Sequence, residues 1–260
     1  MTPAYRYLAY KAFSKHGKGH GIHSPFIFDL VTRLFNDTTP YYCFEKIELI
    51  RREMIASEVV IDVNDLGAGS KKMGNNQRKI SNIAKYSAVQ QKYGALLFKL
   101  ANEFKPKNII ELGTSLGIGS LYLSSFSKKS TLYTIEGCEN TAKIARKNFL
   151  NLDAYNINLT VGSFEKRLPE VLKIIDSADM VFFDGNHRKE PTIKYFNLCL
   201  EKKTNNSVFI FDDIHWSKDM NSCWNQIKKH PEVKVTVDIF QMGLVFFRKE
   251  LQKQDFVIRY

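Results

Sequence analysis

The sequence has little cysteine and no long apolar run, and each absence excludes a class of protein. Four of its 260 residues are cysteine, and their wide spacing excludes a disulfide framework and a Cys-x-x-Cys zinc site. No run of about 18 uncharged apolar residues is present, so we expect no membrane-spanning helix. Residues 1–14 mix Arg6 and Lys11 with aromatic side chains, unlike the apolar centre of a signal peptide. We therefore predict a cytoplasmic protein with reduced thiols and no membrane partner.

Acidic residues are also scarce, with 27 Asp and Glu against 38 Lys and Arg, which gives a formal net charge of +11. A basic surface attracts nucleic acids and anionic metabolites, but it does not determine the fold. Much of the excess is dispersed in pairs such as Lys228-Lys229. No predicted helix has the dense basic stripe with stacking aromatics that is expected of a nucleic-acid binder. We interpret the charge as a solvated surface and favour a small-molecule partner over nucleic acid.

From residue 108 onward, short apolar runs alternate with amphipathic stretches, which is typical of a parallel sheet with helices on both faces. Residues 180–183 and 208–211 are continuously apolar, as strands covered on both faces must be. The last two runs, 233–240 and 243–247, are too close together for a helical crossover and should form an antiparallel hairpin. The pattern predicts an α/β fold with a Rossmann-like, seven-stranded, mostly parallel sheet that ends in this hairpin. The other five strands are predicted at 108–112, 131–136, 156–161, 179–184 and 207–213.

The N-terminal third has a different pattern. Segments 24–35 and 44–55 are predicted as helices, the first opening with a serine and a proline. Residues 66–81 are rich in glycine, serine, lysine and asparagine and are predicted as a loop. We therefore divide the chain into a helical cap with a basic loop, residues 1–85, and an α/β domain, residues 86–260.

A glycine-rich motif, E-L-G-T-S-L-G-I-G-S at 111–120, follows the first predicted strand and opens a helix. Gly113 and Gly117 let the backbone turn sharply and approach a ligand closely. A dinucleotide fingerprint would place further glycines where this chain has Ser115 and Ile118. The spacing therefore argues against NAD.

A second glycine-rich motif, at 65–70, is followed by lysine and asparagine rather than by an apolar helix. Unlike the first motif, it is not followed at the corresponding distance by a predicted strand that ends in an acid. We interpret residues 65–80 as a basic lid or a surface loop, and not as a nucleoside site.

Carboxylates at the strand ends suit a cationic nucleoside. Glu111 would repel a pyrophosphate but favours the cationic methionine end of S-adenosylmethionine. Glu136 ends the second strand, where it can accept hydrogen bonds from both ribose hydroxyls. Gly162 and Ser163 end the third strand, where an adenine edge would lie, and Thr114 lies in the glycine motif. The sequence thus predicts a binding site for S-adenosylmethionine.

Acidic residues also end the next two strands. Asp184 ends the fourth, and Asp212 and Asp213 end the fifth, so they should converge where ligands bind in such sheets. Crowded carboxylates repel one another unless positive charge lies between them. An all-oxygen set suits a hard divalent cation, Mg²⁺ by default and Mn²⁺ or Ca²⁺ otherwise, although helix capping is the alternative role. His187 can remove a hydroxyl proton near neutral pH, or else cap a helix or orient a carboxylate.

At these residues the chain resembles the metal-dependent O-methyltransferases of the catechol and caffeoyl-CoA types. Asp213 stands where the catechol type has Asn, whereas an acid pair occurs in macrocin-type enzymes of antibiotic tailoring. His187 stands where the catechol type has a catalytic lysine. The resemblance covers about residues 80–250 and rests on the 111–120 motif, Glu136, Asp184, Asp212 and Asp213.

The resemblance implies a class I methyltransferase whose domain at 86–260 binds S-adenosylmethionine. It implies that Asp184, Asp212 and Asp213 hold a divalent cation, that His187 is the base, and that a small hydroxylated acceptor is O-methylated. Two other interpretations stay open: a metal-independent N- or RNA methyltransferase, and a non-catalytic module that binds the cofactor. The sequence identifies neither the acceptor nor the oligomeric state, and it is compatible with a homodimer.

Overall fold

The computed structural model describes residues 3–14, 19–64 and 76–260. The chain divides into two compact units, which we call the mid-chain unit, Pro40–Ala178, and the terminal unit, Met1–Thr39 together with Asp179–Tyr260. No helix among the described residues is long and apolar enough to cross a membrane.

Ten α-helices lie within the described residues. They are α1 Pro3–Phe13, α2 Pro25–Asp29, α3 Tyr42–Ala56, α4 Ile80–Tyr86, α5 Gln91–Phe104, α6 Ile118–Ser124, α7 Glu139–Asn151, α8 Phe164–Ile174, α9 Lys189–Leu200 and α10 Lys218–Lys229. A π-helical segment, Leu30–Phe35, continues α2.

Ten strands accompany these helices within the same described ranges. They are β1 Val60–Asp62, β2 Gln77–Lys79, β3 Asn108–Leu112, β4 Thr131–Glu136, β5 Ile157–Val161, β6 Met180–Phe183, β7 Val208–Asp212, β8 Val235–Asp238, β9 Met242–Phe246 and β10 Gln254–Val257.

The mid-chain unit contains the parallel strands β3, β4 and β5, which lie side by side in that order. Every residue of β3 is buried, as its apolar run predicts. Glu111 pairs in register with Thr134, and Glu136 pairs with Val161. The three strands therefore end close together, and the turns that follow them form one edge.

The terminal unit contains five strands in the order β10-β8-β9-β7-β6. Strands β6 and β7 are parallel, whereas β9 is antiparallel to both β7 and β8, so the predicted hairpin is confirmed. Strand β10 is parallel to β8 and was not predicted, because Phe256 is the one buried residue of this strand. Apart from the short pair β1 and β2, the described residues thus form three strands in the mid-chain unit and five in the terminal unit, eight in place of the predicted seven.

The fold class is confirmed: this is a mixed α/β protein with a mostly parallel sheet, antiparallel strands at its end and N-terminal helices. Ser24 caps α2 by accepting a hydrogen bond from the Ile27 N–H at 3.5 Å. Helix α1 belongs to the same unit as the C-terminus, since the Tyr10 hydroxyl donates to the Ile258 carbonyl at 2.7 Å. The functional division at residue 85 stays a prediction.

The predicted loop at 66–81 is wrong over 77–81, where β2 and the start of α4 lie. Strand β2 pairs antiparallel with β1. Both strands are three residues long and almost entirely exposed, so they leave no periodic apolar signal in the sequence. The second glycine motif, at 65–70, lies outside the described residues.

Candidate active site

The glycine motif forms a tight turn between β3 and α6. Gly113, Ser115 and Gly117 all have left-handed backbones, with φ of 108°, 49° and 85°. A Cβ on Gly117 would lie 2.5 Å from Cε1 of Phe149, so a side chain is excluded there on steric grounds as well. The turn therefore brings bare backbone to the end of the strands.

Glu111 is almost completely buried at the end of β3, with 1% of its surface exposed. Its Oε2 accepts hydrogen bonds from the Ser120 hydroxyl and, at 2.6 Å, from the Thr134 hydroxyl. The Thr114 hydroxyl in turn lies 2.6 Å from the Thr134 hydroxyl. Burial raises the pKa of Glu111 to about 7, although the two hydroxyl donors oppose this change. The carboxyl group is thus held in place and poised to lose its proton near neutral pH.

Glu136 ends β4 beside the glycine turn. Its Oε2 accepts from the Ser115 N–H at 2.7 Å, and its Oε1 accepts from the Cys138 N–H at 2.9 Å. Burial raises the pKa of Glu136, and the backbone N–H donors oppose this change. Two backbone segments therefore orient this carboxylate.

The end of β5 approaches the same place. Gly162 has a φ of 143°, and its N–H donates to the Glu136 carbonyl at 2.8 Å. Ser163 then precedes the first residue of α8 as its N-cap. The structure thus brings together the residues predicted to bind the cofactor, while their binding roles stay predictions: Glu111, Gly113, Thr114, Gly117, Glu136, Gly162 and Ser163.

Sequence reasoning missed two residues that hold Glu111, namely Ser120 and Thr134. Ser120 lies nine residues after Glu111, at the end of the glycine motif and in the helix that the motif opens. This position could have identified Ser120 from the sequence. Thr134 lies on the neighbouring strand, and the strand register that pairs it with Glu111 is known from the structure alone.

A second group of acids lies in the terminal unit, which we call the carboxylate cluster: Asp184, Asp212 and Asp213. Asp184 follows β6, Asp212 ends β7, and Asp213 has a left-handed backbone with a φ of 55°. Burial raises the pKa of Asp212, and the neighbouring charge of Asp213 adds to the increase.

His187 and Gln241 supply the groups that face these acids. The His187 Nε2 lies 3.9 Å from Asp184 Oδ1 and 3.9 Å from Asp213 Oδ2. The Gln241 amide nitrogen donates to Asp212 Oδ1 at 3.1 Å and to Asp213 Oδ1 at 2.7 Å. Gln241 was not predicted, because it comes from the turn between β8 and β9.

Within the described ranges, no group of three His, Cys, Asp or Glu side chains is arranged to hold a metal ion. In this structure the Gln241 amide instead donates hydrogen bonds to Asp212 and Asp213, and the His187 imidazole lies near Asp184 and Asp213. Its donor chemistry, oxygen atoms on three acids, still suits a hard divalent cation. The predicted cation therefore remains a hypothesis.

His215 and Trp216, which follow the cluster in sequence, have other surroundings. The His215 Nε2 lies 2.7 Å from Asp238 Oδ2, and its Nδ1 lies 3.0 Å from the Asn221 amide nitrogen. Both ring nitrogens of His215 thus have hydrogen-bonding partners within the terminal unit. Trp216 is 68% exposed.

Comparison with known proteins agrees with this geometry. A family model described as a methyltransferase domain matches residues 110–214, which include Glu111, Glu136 and the carboxylate cluster. A catechol O-methyltransferase of Niastella koreensis is 26% identical over 130 residues, which cover 49% of this chain and 58% of that protein. An uncharacterized protein of Acanthamoeba polyphaga mimivirus is 29% identical over 145 residues, which cover 51% and 65%. The chain thus spans less than two thirds of the length of these curated relatives.

The fold is shared with solved O-methyltransferases. That of Bacillus cereus, solved in complex with SAH, has a TM-score of 0.57 and 18% identity, over 80% of this chain and 92% of that one. At this identity the likeness establishes the fold alone.

The buried Glu111 should make the stability of the protein depend on pH. Because burial raises its pKa from 4.5 to about 7, the folded state loses stability as the pH rises through this interval. We expect Glu111→Gln to remove that loss. The unfolding free energy of the variant, relative to that of the wild type, should therefore increase by roughly 3 kcal/mol between about pH 4 and about pH 8.

Urea denaturation at both pH values measures this difference. Glu139→Gln, at an exposed position on α7, is the matched control and should show no such gain. Parallel stability profiles for wild type and Glu111→Gln would contradict the assignment of a raised pKa to this group.

Proposed function

We propose that the chain transfers the methyl group of S-adenosylmethionine to the oxygen of a small hydroxylated acceptor. The fold and the match of residues 110–214 to a family model described as a methyltransferase domain support this proposal. The observation that carries the proposal is the pair of strand-end carboxylates, the buried Glu111 and the half-buried Glu136, beside a glycine turn. A buried carboxylate is costly unless positive charge or donors approach it. The sulfonium and ammonium groups of the cofactor supply positive charge, and its ribose supplies hydroxyl donors.

The roles of the cofactor-binding residues follow from their chemistry. Glu111 attracts the cationic methionine portion, while the bare backbone of Gly113, Thr114 and Gly117 lets it approach. Glu136 accepts the Ser115 and Cys138 N–H groups, and in this proposal its carboxylate also accepts the ribose hydroxyls.

The adenine end needs a surface rather than a charge. Gly162, which has no side chain, and Ser163, whose hydroxyl can bind the ring edge, border that end in this proposal. Gly162 has a φ of 143°, which favours glycine, and the Arg167 side chain lies against the position that a Cβ would take.

In the proposed chemistry, His187 removes the proton of the acceptor hydroxyl. The position of its Nε2 at 3.9 Å from both Asp184 and Asp213 supports this role, because the two acids stabilise the imidazolium that results. The acceptor oxygen then attacks the methyl carbon as the carbon–sulfur bond breaks. The bonding electrons remain on sulfur and give neutral S-adenosylhomocysteine. Holding the reactants in line supplies much of the acceleration.

A divalent cation, Mg²⁺ first among candidates, is the finer part of the proposal. Asp184, Asp212 and Asp213 would hold it, and their crowding supports this, since Asp212 and Asp213 raise each other's energy when both are charged. When bound, such an ion lowers the pKa of an acceptor hydroxyl.

Calorimetry tests the cofactor site. We expect wild-type protein to bind S-adenosylhomocysteine, and Glu136→Ala to weaken binding about 10- to 100-fold, because two hydrogen bonds from ribose to a charged acceptor are lost. Glu139→Ala, an exposed acid close by on α7, is the matched control. Absence of binding by the wild type would refute the proposed function.

An assay of S-adenosylhomocysteine release, with a panel of small hydroxylated compounds that includes catechols, tests the base. We expect His187→Gln to lower the rate about 100- to 10,000-fold, because proton removal is lost, while cofactor affinity is unchanged. His23→Gln, at an exposed position, is the control. A rate equal to that of the wild type would assign the proton to another group.

The same assay tests the cation. We expect EDTA to abolish turnover and excess Mg²⁺ to restore it. We expect Asp212→Ala to be inactive while cofactor binding persists, because in this proposal the ion holds the acceptor and not the cofactor. Turnover that survives both EDTA and Asp212→Ala would exclude the cation and leave the methyltransferase proposal intact.

A further inference from the structure

We propose that Thr134 is a positioning residue for the methionine end of the cofactor: its hydroxyl links the Glu111 carboxylate to the glycine turn and holds that carboxylate in one orientation for the cofactor's ammonium group. The inference rests on the proposed function and adds to it a residue of β4. Every protein group that carries it lies in the mid-chain unit.

The Thr134 hydroxyl takes part in two short hydrogen bonds in a dry interior, where none of the residue's surface is exposed. It donates to Glu111 Oε2 at 2.6 Å and lies 2.6 Å from the Thr114 hydroxyl. A hydroxyl has one proton, so when Thr134 donates to the ionised Glu111 it can only accept from Thr114. The three groups therefore form a chain of hydrogen bonds that runs in one direction, from the turn to the carboxylate.

Strand register brings the first two of these groups together. Glu111 on β3 and Thr134 on β4 are partners in a parallel pair whose register runs through five consecutive positions, from Asn108 with Thr131 to Leu112 with Ile135. Partners in register project from the same face of a sheet. The contact between the hydroxyl and the carboxylate is thus fixed by the backbone of both strands.

The glycine turn is joined to β4 on both sides of Thr114. Before it, the Gly113 N–H donates to the Ile135 carbonyl at 3.0 Å, and after it, the Ser115 N–H donates to Glu136 Oε2 at 2.7 Å. Both bonds use backbone N–H groups, and neither needs the hydroxyl proposed here. A variant without that hydroxyl should therefore keep the turn, and the carboxylate at the ribose end, in place.

Glu111 depends on its donors more than an exposed carboxylate would. Burial raises the pKa of Glu111 to about 7, and the hydroxyls of Ser120 and Thr134 oppose this change. Both donors reach the same atom, Oε2. Loss of one of them disfavours the charged form that attracts an ammonium group and gives the carboxylate more freedom to rotate.

Calorimetry with two ligands tests the inference. S-adenosylhomocysteine has the ammonium group, whereas methylthioadenosine has the same nucleoside and a thioether sulfur without it. Thr134→Val keeps the shape of the side chain and removes the hydroxyl, so it should weaken S-adenosylhomocysteine binding about 10-fold, because a hydrogen bond to a charged group is lost. Affinity for methylthioadenosine should stay at the wild-type value, which a general structural defect would not allow.

Three further variants complete the design. Thr134→Ser keeps the hydroxyl and should bind S-adenosylhomocysteine as the wild type does. Thr131→Val makes the same change at a half-buried position of the same strand, and as the matched control it should alter neither affinity. Thr134→Ala removes the same hydroxyl and takes the place of Thr134→Val if that variant does not fold, with the same expected loss.

The outcomes separate the claims. Equal S-adenosylhomocysteine affinity in wild type and Thr134→Val overturns this inference and leaves the proposed function standing. Equal losses for the two ligands also overturn it, because the hydroxyl would then support the site as a whole. Thr134→Ser that binds as weakly as Thr134→Val would assign the effect to packing and overturn it as well. Binding of neither ligand by the wild type refutes the proposed function itself.

Discussion

The removal of carboxylates from water at the ends of strands is the constraint on which the rest of this structure depends. Burial raises the pKa of Glu111, Glu136 and Asp212, so each charge is costly where it stands. The strands β3 and β7 are buried along their whole length, so an acid near the carboxyl end of either strand lies beside a dry interior. Hydrogen-bond donors around these carboxylates offset part of that cost.

The two units offset it by different means. In the mid-chain unit, hydroxyl groups donate to Glu111, and a backbone N–H group of the glycine turn donates to Glu136. In the terminal unit, side chains from separate elements, His187 and Gln241, face three acids. The first arrangement is built from one turn and its neighbouring strand, and the second from side chains that are distant in the sequence.

The sequence predicted well those features that arise locally. Residues 180–183 and 208–211, in β6 and β7, are continuous apolar runs, and the acids that follow them are visible without a structure. Features that depend on distant partners were missed: Gln241 lies 29 residues from Asp212, and Thr134 meets Glu111 through strand register. Short exposed strands such as β1 and β2 carry no apolar period, and β10 is stabilised by its pairing with β8 more than by its own pattern.

The left-handed backbone of Asp213 has an evolutionary consequence. Among residues with side chains, aspartate and asparagine adopt this conformation most readily. The position thus accommodates two residues of nearly the same shape that differ by one charge, and either can accept a hydrogen bond from Gln241. A single substitution at 213 can therefore retune how strongly this edge of the protein attracts cations, while the backbone and its neighbours stay as they are.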